Sequence, residues 1–142
     1  MTLFNHTNID QAYELINTCI IKTPLVSNDY INQITGGNIL FKLENLQITG
    51  SFKFRGASNK IAKLTKEFGK KENDTGSTET QIAVLTERIK NITSHLQDNK
   101  KDNSGRRGLV ILVSKRRKLL NYLRRINVNS YRSLLEKLNI RK

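Results

Sequence analysis

Between Asp102 and Glu136 the chain carries nine basic residues and no acidic one, and apolar residues recur there at helical spacing. Leu109, Leu112, Val113, Leu119, Leu120 and Leu123 form one stripe, with Arg106, Arg107, Lys115, Arg116, Arg117, Lys118, Arg124 and Arg125 around it. This pattern predicts an amphipathic helix whose other face is a dense cationic surface. Nine unneutralised cations repel one another, so such a face is stable only beside a partner that relieves the repulsion. A polyanion is the partner that fits.

The same imbalance divides the chain. Residues 1–65 hold six cations against four acids, a surplus of +2. Residues 66–142 hold nineteen against eight, or +11 of the total +13. At 142 residues, one ordinary domain or two small ones can form. The longest apolar run, residues 109–113, is far short of the roughly 18 residues a membrane span needs. One cysteine, Cys19, allows neither an internal disulfide nor a cysteine-rich zinc site. The first ten residues contain Asp10 and no cation, the pattern of neither a secretory signal nor a transit peptide, so a reducing cytoplasm is expected.

From residue 77 the period is helical throughout. Ile82, Leu85, Ile89, Ile92 and Leu96 step by three and four, Ser77 is a good N-cap, and Glu79 complements the positive helix start. Residues 97–105 are polar and read as a loop, which makes the two long helices an antiparallel hairpin. Asn127 can cap a last helix with Tyr131, Leu134, Leu135 and Leu138 on its apolar side. Ile61, Leu64 and Phe68 predict a short first helix ending at Gly69, a C′ residue. The expected class is therefore mainly α: a hairpin domain of about four helices over residues 61–142.

Two surfaces of this half suit a nucleic acid. The cations of the second long helix suit phosphates. The loop Asn73-Asp74-Thr75-Gly76-Ser77, small and placed before a helix, lets a phosphate or ribose come close. Hydroxyl, amide and tyrosine groups beside arginines favour a folded RNA over a DNA groove.

Residues from about 66 to 142 resemble the bacterial small-subunit ribosomal protein fifteen family. The resemblance is carried by Glu67-Phe68-Gly69, residues 73–77, Gln81-Ile82-Ala83, residues 85–89, His95, Lys100-Lys101-Asp102, residues 106–109, 116–123 and 131–138. It implies a primary binder of small-subunit ribosomal RNA that works beside other ribosomal proteins and helps assemble the central domain. It further implies that Thr75, Gly76 and Ser77, with Gln81, Arg88, Tyr122 and Arg125, grip a three-way junction. His95 and Asp102 would touch a second helical element, and Arg106, Arg107, Arg116, Arg117 and Lys118 would supply the basic surface. Taken without the family, His95 suits packing as well as contact, and a tyrosine placed like Tyr122 is more often core than contact. The chain departs from the family at Asn103-Ser104-Gly105, where two histidines and a serine are usual. Gly105 has no hydroxyl to offer the second element.

The first 60 or so residues read differently. Ile9, Ala12, Tyr13, Ile16 and Ile20 are spaced for a helix, and Ile39 to Leu43 form a strand candidate after the turn signal Gly36-Gly37-Asn38. Lys53 follows Gly50-Ser51 at a helix start, an electropositive place of the kind an imine-forming lysine uses, although a lysine so placed is more often a plain surface residue. With Thr23-Pro24-Leu25 and residues 44–57, the segment from 8 to about 64 resembles the opening of the threonine dehydratase and serine racemase family. That resemblance implies a truncated α/β fragment of a pyridoxal-phosphate enzyme, with Lys53 at a vestigial Schiff-base position. The family's phosphate cradle and ring-binding residues lie beyond this opening part, where the present chain has changed character. No cofactor, metal, small-molecule substrate, membrane partner or catalytic residue is therefore expected. The chain reads as a fusion, with a first segment of residues 1–60 that is marginal and prone to self-association through exposed apolar surface. Alternatives are an adaptor whose first segment docks on an intact enzyme, and an ammonia-lyase using pyridoxal phosphate.

Overall fold

The computed structural model describes residues 6–71 and 74–140. Asn73, part of the loop singled out above, lies outside the described residues. The chain divides into two compact units, residues 1–63 and 64–142.

The first unit has α1 (His6–Ile16), β1 (Leu25–Ser27), α2 (Asp29–Thr35), β2 (Leu40–Lys42), a 3-10 turn at Glu44–Leu46 and the start of α3 (Lys53–Phe68). The strands pair antiparallel with Val26 opposite Phe41, and all six of their residues are exposed. Ile16 is the one buried hydrophobic residue among those described in this unit. A polar network does the fastening instead. Glu44 accepts from Arg55 Nε at 2.9 Å, from Arg55 Nη2 at 2.7 Å and from Thr23 Oγ1 at 2.6 Å. The buried Gln47 closes a second ring, accepting from the Ile21 N–H at 2.9 Å and donating to its carbonyl at 3.0 Å.

The second unit contains α4 (Thr78–Asp98), α5 (Asn103–Ile126) and α6 (Val128–Leu138) besides the end of α3. This is the expected four-helix set around a hairpin. Its core joins Phe68, Ile82, Ala83, Leu123 and Leu134, with Leu64, Leu119, Leu120, Tyr131, Leu138 and Ile140 packed around them. The starts of α4, α5 and α6 are capped. Ser77 Oγ accepts from the Thr80 N–H at 3.4 Å, Asp102 Oδ1 from Gly105 at 2.8 Å, and Asn127 Oδ1 from Ser130 at 2.9 Å. Asn127 also donates its N–H to the Leu123 carbonyl at 2.8 Å, so one residue ends α5 and begins α6.

Several expectations need correction. The predicted loop over 97–105 shrinks to residues 99–102, because the Asp102 cap lets Asn103-Ser104-Gly105 enter α5. The helix expected near residue 61 starts at Lys53, running through Gly56, Ser58 and Asn59 despite their weak propensity. The first helix stops at Ile16 and leaves Ile20 outside it. Gly69 does not take the left-handed C′ conformation, since positive φ among the described glycines is confined to Gly36 and Gly50. Its small size serves close approach: a Cβ there would lie 2.5 Å from the Thr65 carbonyl oxygen. The short elements β1 and α2 are additions to the sequence-based expectation.

Candidate nucleic-acid interface

Helix α5 is where cations and packing compete for positions. Leu109, Leu112, Arg116, Leu119 and Leu123 step by three and four, which is the seam of a paired helix. Leu112 and Leu123 are buried, but Val113, expected on the apolar stripe, is exposed, and Arg116 takes the seam position. Its Nη1 donates to Thr86 Oγ1 on α4 at 3.4 Å, and burial lowers its pKa. Arg106, Arg107, Arg117, Lys118 and Arg125 are exposed, as are Lys115 and Arg124.

The Thr86–Arg116 contact sets the register of the hairpin. Gln81 lies five residues before Thr86, and Tyr122 six after Arg116. At a rise of about 1.5 Å per residue, they stand about 8 and 9 Å from that contact toward the same end. Thr75, Gly76 and Ser77 precede α4 at this end, where Arg125 also falls on α5. Gln81, Tyr122, Arg125, Thr75 and Gly76 are exposed, and Tyr122 keeps 54% of its surface. Arg88, also exposed, is two turns along α4 from Gln81 and thus on the same face.

The loop is held firmly. Asp74 accepts from the Lys70 N–H at 3.1 Å and from the Ser77 N–H at 3.0 Å, and these N–H donors, Lys70 first, hold its pKa below the ordinary carboxylate value. Gln81 Nε2 donates to the Gly76 carbonyl at 2.8 Å. A Cβ at Gly76 would meet no atom within 4 Å, so the protein's own packing does not require glycine there. The bare backbone faces outward. Glu79, foreseen as a helix-start charge, is buried and pairs with Lys70 Nζ at 3.0 Å.

At the other end of the hairpin, roughly 21 Å along α4 from Gln81, His95 Nε2 lies 3.1 Å from Asp102 Oδ2. Asn99 Nδ2 lies 3.3 Å from His95 Nδ1. Arg106 donates to the Lys100 carbonyl at 2.6 Å. The Gly105 N–H, then His95, lower the pKa of Asp102. A Cβ at position 105 would fall 2.5 Å from Asp102 Oδ2 and 3.3 Å from Leu96 Cδ2. Gly105 thus lets the Asp102 carboxylate fold across the helix start toward His95. Thr75, Gly76, Ser77, Gln81, Tyr122 and Arg125 thus fall toward one end of the hairpin and His95, Asp102 and Arg106 at the other, with Arg88, Arg117 and Lys118 between them and Arg116 in the seam.

Lys53 is exposed on the first turn of α3. A phosphate ester there would need free N–H donors. The Lys53 N–H is spent on Ser51 Oγ at 3.3 Å, Phe54 on the Ser51 carbonyl at 3.2 Å, and Arg55 on that of Phe52 at 3.1 Å. Neither of two cavities in this unit, one beside Gly36 and Gly37 and one beside Lys42, is lined by Lys53. These residues do not fit pyridoxal phosphate.

Comparison with known proteins finds two families along the chain, whose matches overlap over residues 60–83. Residues 60–141 match the family described as ribosomal protein S15. Residues 16–83 match the family described as pyridoxal-phosphate dependent enzyme. The small ribosomal subunit protein uS15 of Borrelia turicatae (strain 91E135) is 54% identical over 80 residues, covering 56% of this chain and 91% of the relative.

Proposed function

Because the chain belongs to the ribosomal protein S15 family, we propose that it is a structural protein of the small ribosomal subunit that binds ribosomal RNA at a three-way junction. The match over residues 60–141 carries this reading. Thr75, Gly76, Ser77, Gln81, Arg88, Tyr122 and Arg125 would form the junction contact, gathered toward one end of the hairpin, with the bare backbone at Gly76 admitting ribose or phosphate. His95 and Asp102 would meet a second RNA element at the far end. Gly105 supplies no hydroxyl to that contact, but it orients Asp102. Arg106, Arg107, Arg117 and Lys118 neutralise phosphates, whereas Arg116 acts by keeping the two long helices in register. RNA-driven assembly of the central domain, contact with neighbouring ribosomal proteins and a cytoplasmic, ribosome-bound location follow from this role.

The functional domain is taken as residues 61–142 and the appended segment as 1–60. That segment is non-catalytic: Lys53 retains the Schiff-base position, but the donors around it are spent. An adaptor role, in which the appended segment docks on an intact enzyme, draws on its exposed apolar side chains, among them Tyr30 at 71% and Ile34 at 66%.

Binding to a three-way-junction RNA tests the proposal. Affinity should fall steeply with salt, by a slope of roughly 0.7–0.9 per phosphate neutralised. Arg88→Ala and Tyr122→Phe should each weaken it about tenfold. Indifference to both substitutions would refute the junction contact.

A further inference from the structure

The first unit holds a cavity of about 370 Å³ lined by Tyr13, Asn17, Ile20, Lys22, Lys42 and Arg55. That volume is within the roughly 300–1,000 Å³ usual for small-molecule sites. Three of its six lining residues are cations, and none is an acid. The cations come from three places in the chain: Lys22 from the stretch after α1, Lys42 from the end of β2, and Arg55 from the first turn of α3.

Two of the three are held in position by bonds made behind the cavity. Arg55 uses Nε and Nη2 on Glu44, with Nη2 also donating to the Ile21 carbonyl at 3.1 Å, and its Nη1 takes part in none of these bonds. Lys42 Nζ donates to the carbonyl of the buried Thr23 at 2.5 Å, which leaves two of its three protons for another acceptor. Lys22 is exposed at the rim. Glu44, the acid bonded to this network, is spent on Arg55 and Thr23, so Lys22, Lys42, Arg55 and Glu44 together carry a net charge of +2. The Tyr13 hydroxyl and the Asn17 amide add neutral donors. Fixed guanidinium and ammonium groups around one concave space suit an oxyanion with several acceptor oxygens.

We propose that this cavity is an anion site of the appended segment, and that it takes the phosphate group of a small phosphate monoester. It is separate from Lys53, which does not line it, and independent of the RNA-binding reading of residues 61–142. Arg55 Nη1 and the two free Lys42 protons meet the phosphate oxygens, Lys22 closes over them, and Ile20 and the Tyr13 ring face the organic part.

Adenosine 5′-monophosphate, inorganic phosphate and unphosphorylated adenosine serve as probes, titrated into the ¹⁵N-labelled full chain. A short single-stranded RNA without terminal phosphates distinguishes a monoester from a backbone phosphate. The monophosphate should shift the amides of Tyr13, Asn17 and Lys22 in a saturable manner, with adenosine silent. Lys22→Gln and Lys42→Met should each weaken it about tenfold, the effect of removing one charge-assisted contact. Both variants should leave the amide spectrum of residues 64–140 unchanged. Shifts with the RNA alone would overturn the monoester assignment. Shifts that survive both substitutions, or none at all with the monophosphate, would overturn the site itself.

Discussion

Phe68, Ile82, Ala83, Leu123 and Leu134 close a continuous apolar core in residues 64–142, whereas the described residues of 1–63 bury one hydrophobic side chain, Ile16, and tie themselves with Arg55, Glu44, Thr23 and Gln47. The first kind of fastening scales with apolar area removed from water. The second depends on geometry and on charge state, and it leaves Leu25, Tyr30, Ile34, Leu40 and Phe52 exposed. The contrast separates a unit that stands by packing from one that stands by polar contacts. The charge split tells the same story, since the well-packed unit is also the one that can tolerate a large cationic surplus.

The largest expected effect comes from the packed side. Ile82 has no exposed surface, and Ile82→Ala should cost the second unit about 2–5 kcal/mol in urea unfolding while leaving the amide spectrum of residues 6–63 in place. On the polar side, Arg55→Ala should strip both Glu44 bonds and the Ile21 contact. The amide signals of residues 16–55 should then collapse toward random-coil positions with no change in the melting of the second unit. Loss of both units together would break the comparison.

Acid gives a third handle. The Arg55 and then the Thr23 hydrogen bonds hold the Glu44 pKa at about 2, below its ordinary 4.5. A depressed carboxylate contributes stability that is fully present above the unfolded value and is lost as pH falls through the folded one. The first unit should therefore weaken between pH 4.5 and about 2, followed by amide shifts of Thr23 and Arg55. In a Glu44→Gln variant that dependence should disappear. A cap removal comes next in size: Asn127→Ala should cost about 1 kcal/mol, read as a lower midpoint in thermal unfolding of the second unit. The smallest change is expected from Gly105→Ala. Better helix propensity offsets the displaced Asp102 cap, so stability should move by less than about 0.5 kcal/mol while the His95 ring shifts in NMR.

The hairpin was legible because its apolar steps of three and four repeat over many turns and because Ser77 and Asn127 are strong caps. The half-burial of Arg116 was not legible, for an equally physical reason. A long cation can hide its stem in a seam, so its charge advertises a surface position that its neighbours Leu112 and Leu119 contradict. Asn103-Ser104-Gly105 reads as loop by composition, and only the reach of the Asp102 carboxylate to the Gly105 N–H makes it helix. In the first unit β1 and α2 were not legible, since a three-residue strand and a seven-residue helix are too short for a pattern such as Tyr30, Ile31 and Ile34 to repeat. The residues proposed for the junction contact are far apart in sequence, Thr75 and Arg125 among them. Their grouping became visible once the Thr86–Arg116 contact had set the register.

The proposed role requires residues 61–142 to work in the small ribosomal subunit in spite of the segment joined to them. Its most direct test is co-sedimentation of the full chain with small ribosomal subunits in a sucrose gradient, beside an Arg88→Ala, Tyr122→Phe double variant. The unaltered chain should travel with the small subunit, and the double variant should remain largely at the top of the gradient. A chain that stays at the top in both forms, or enters the subunit fraction equally in both, would contradict it.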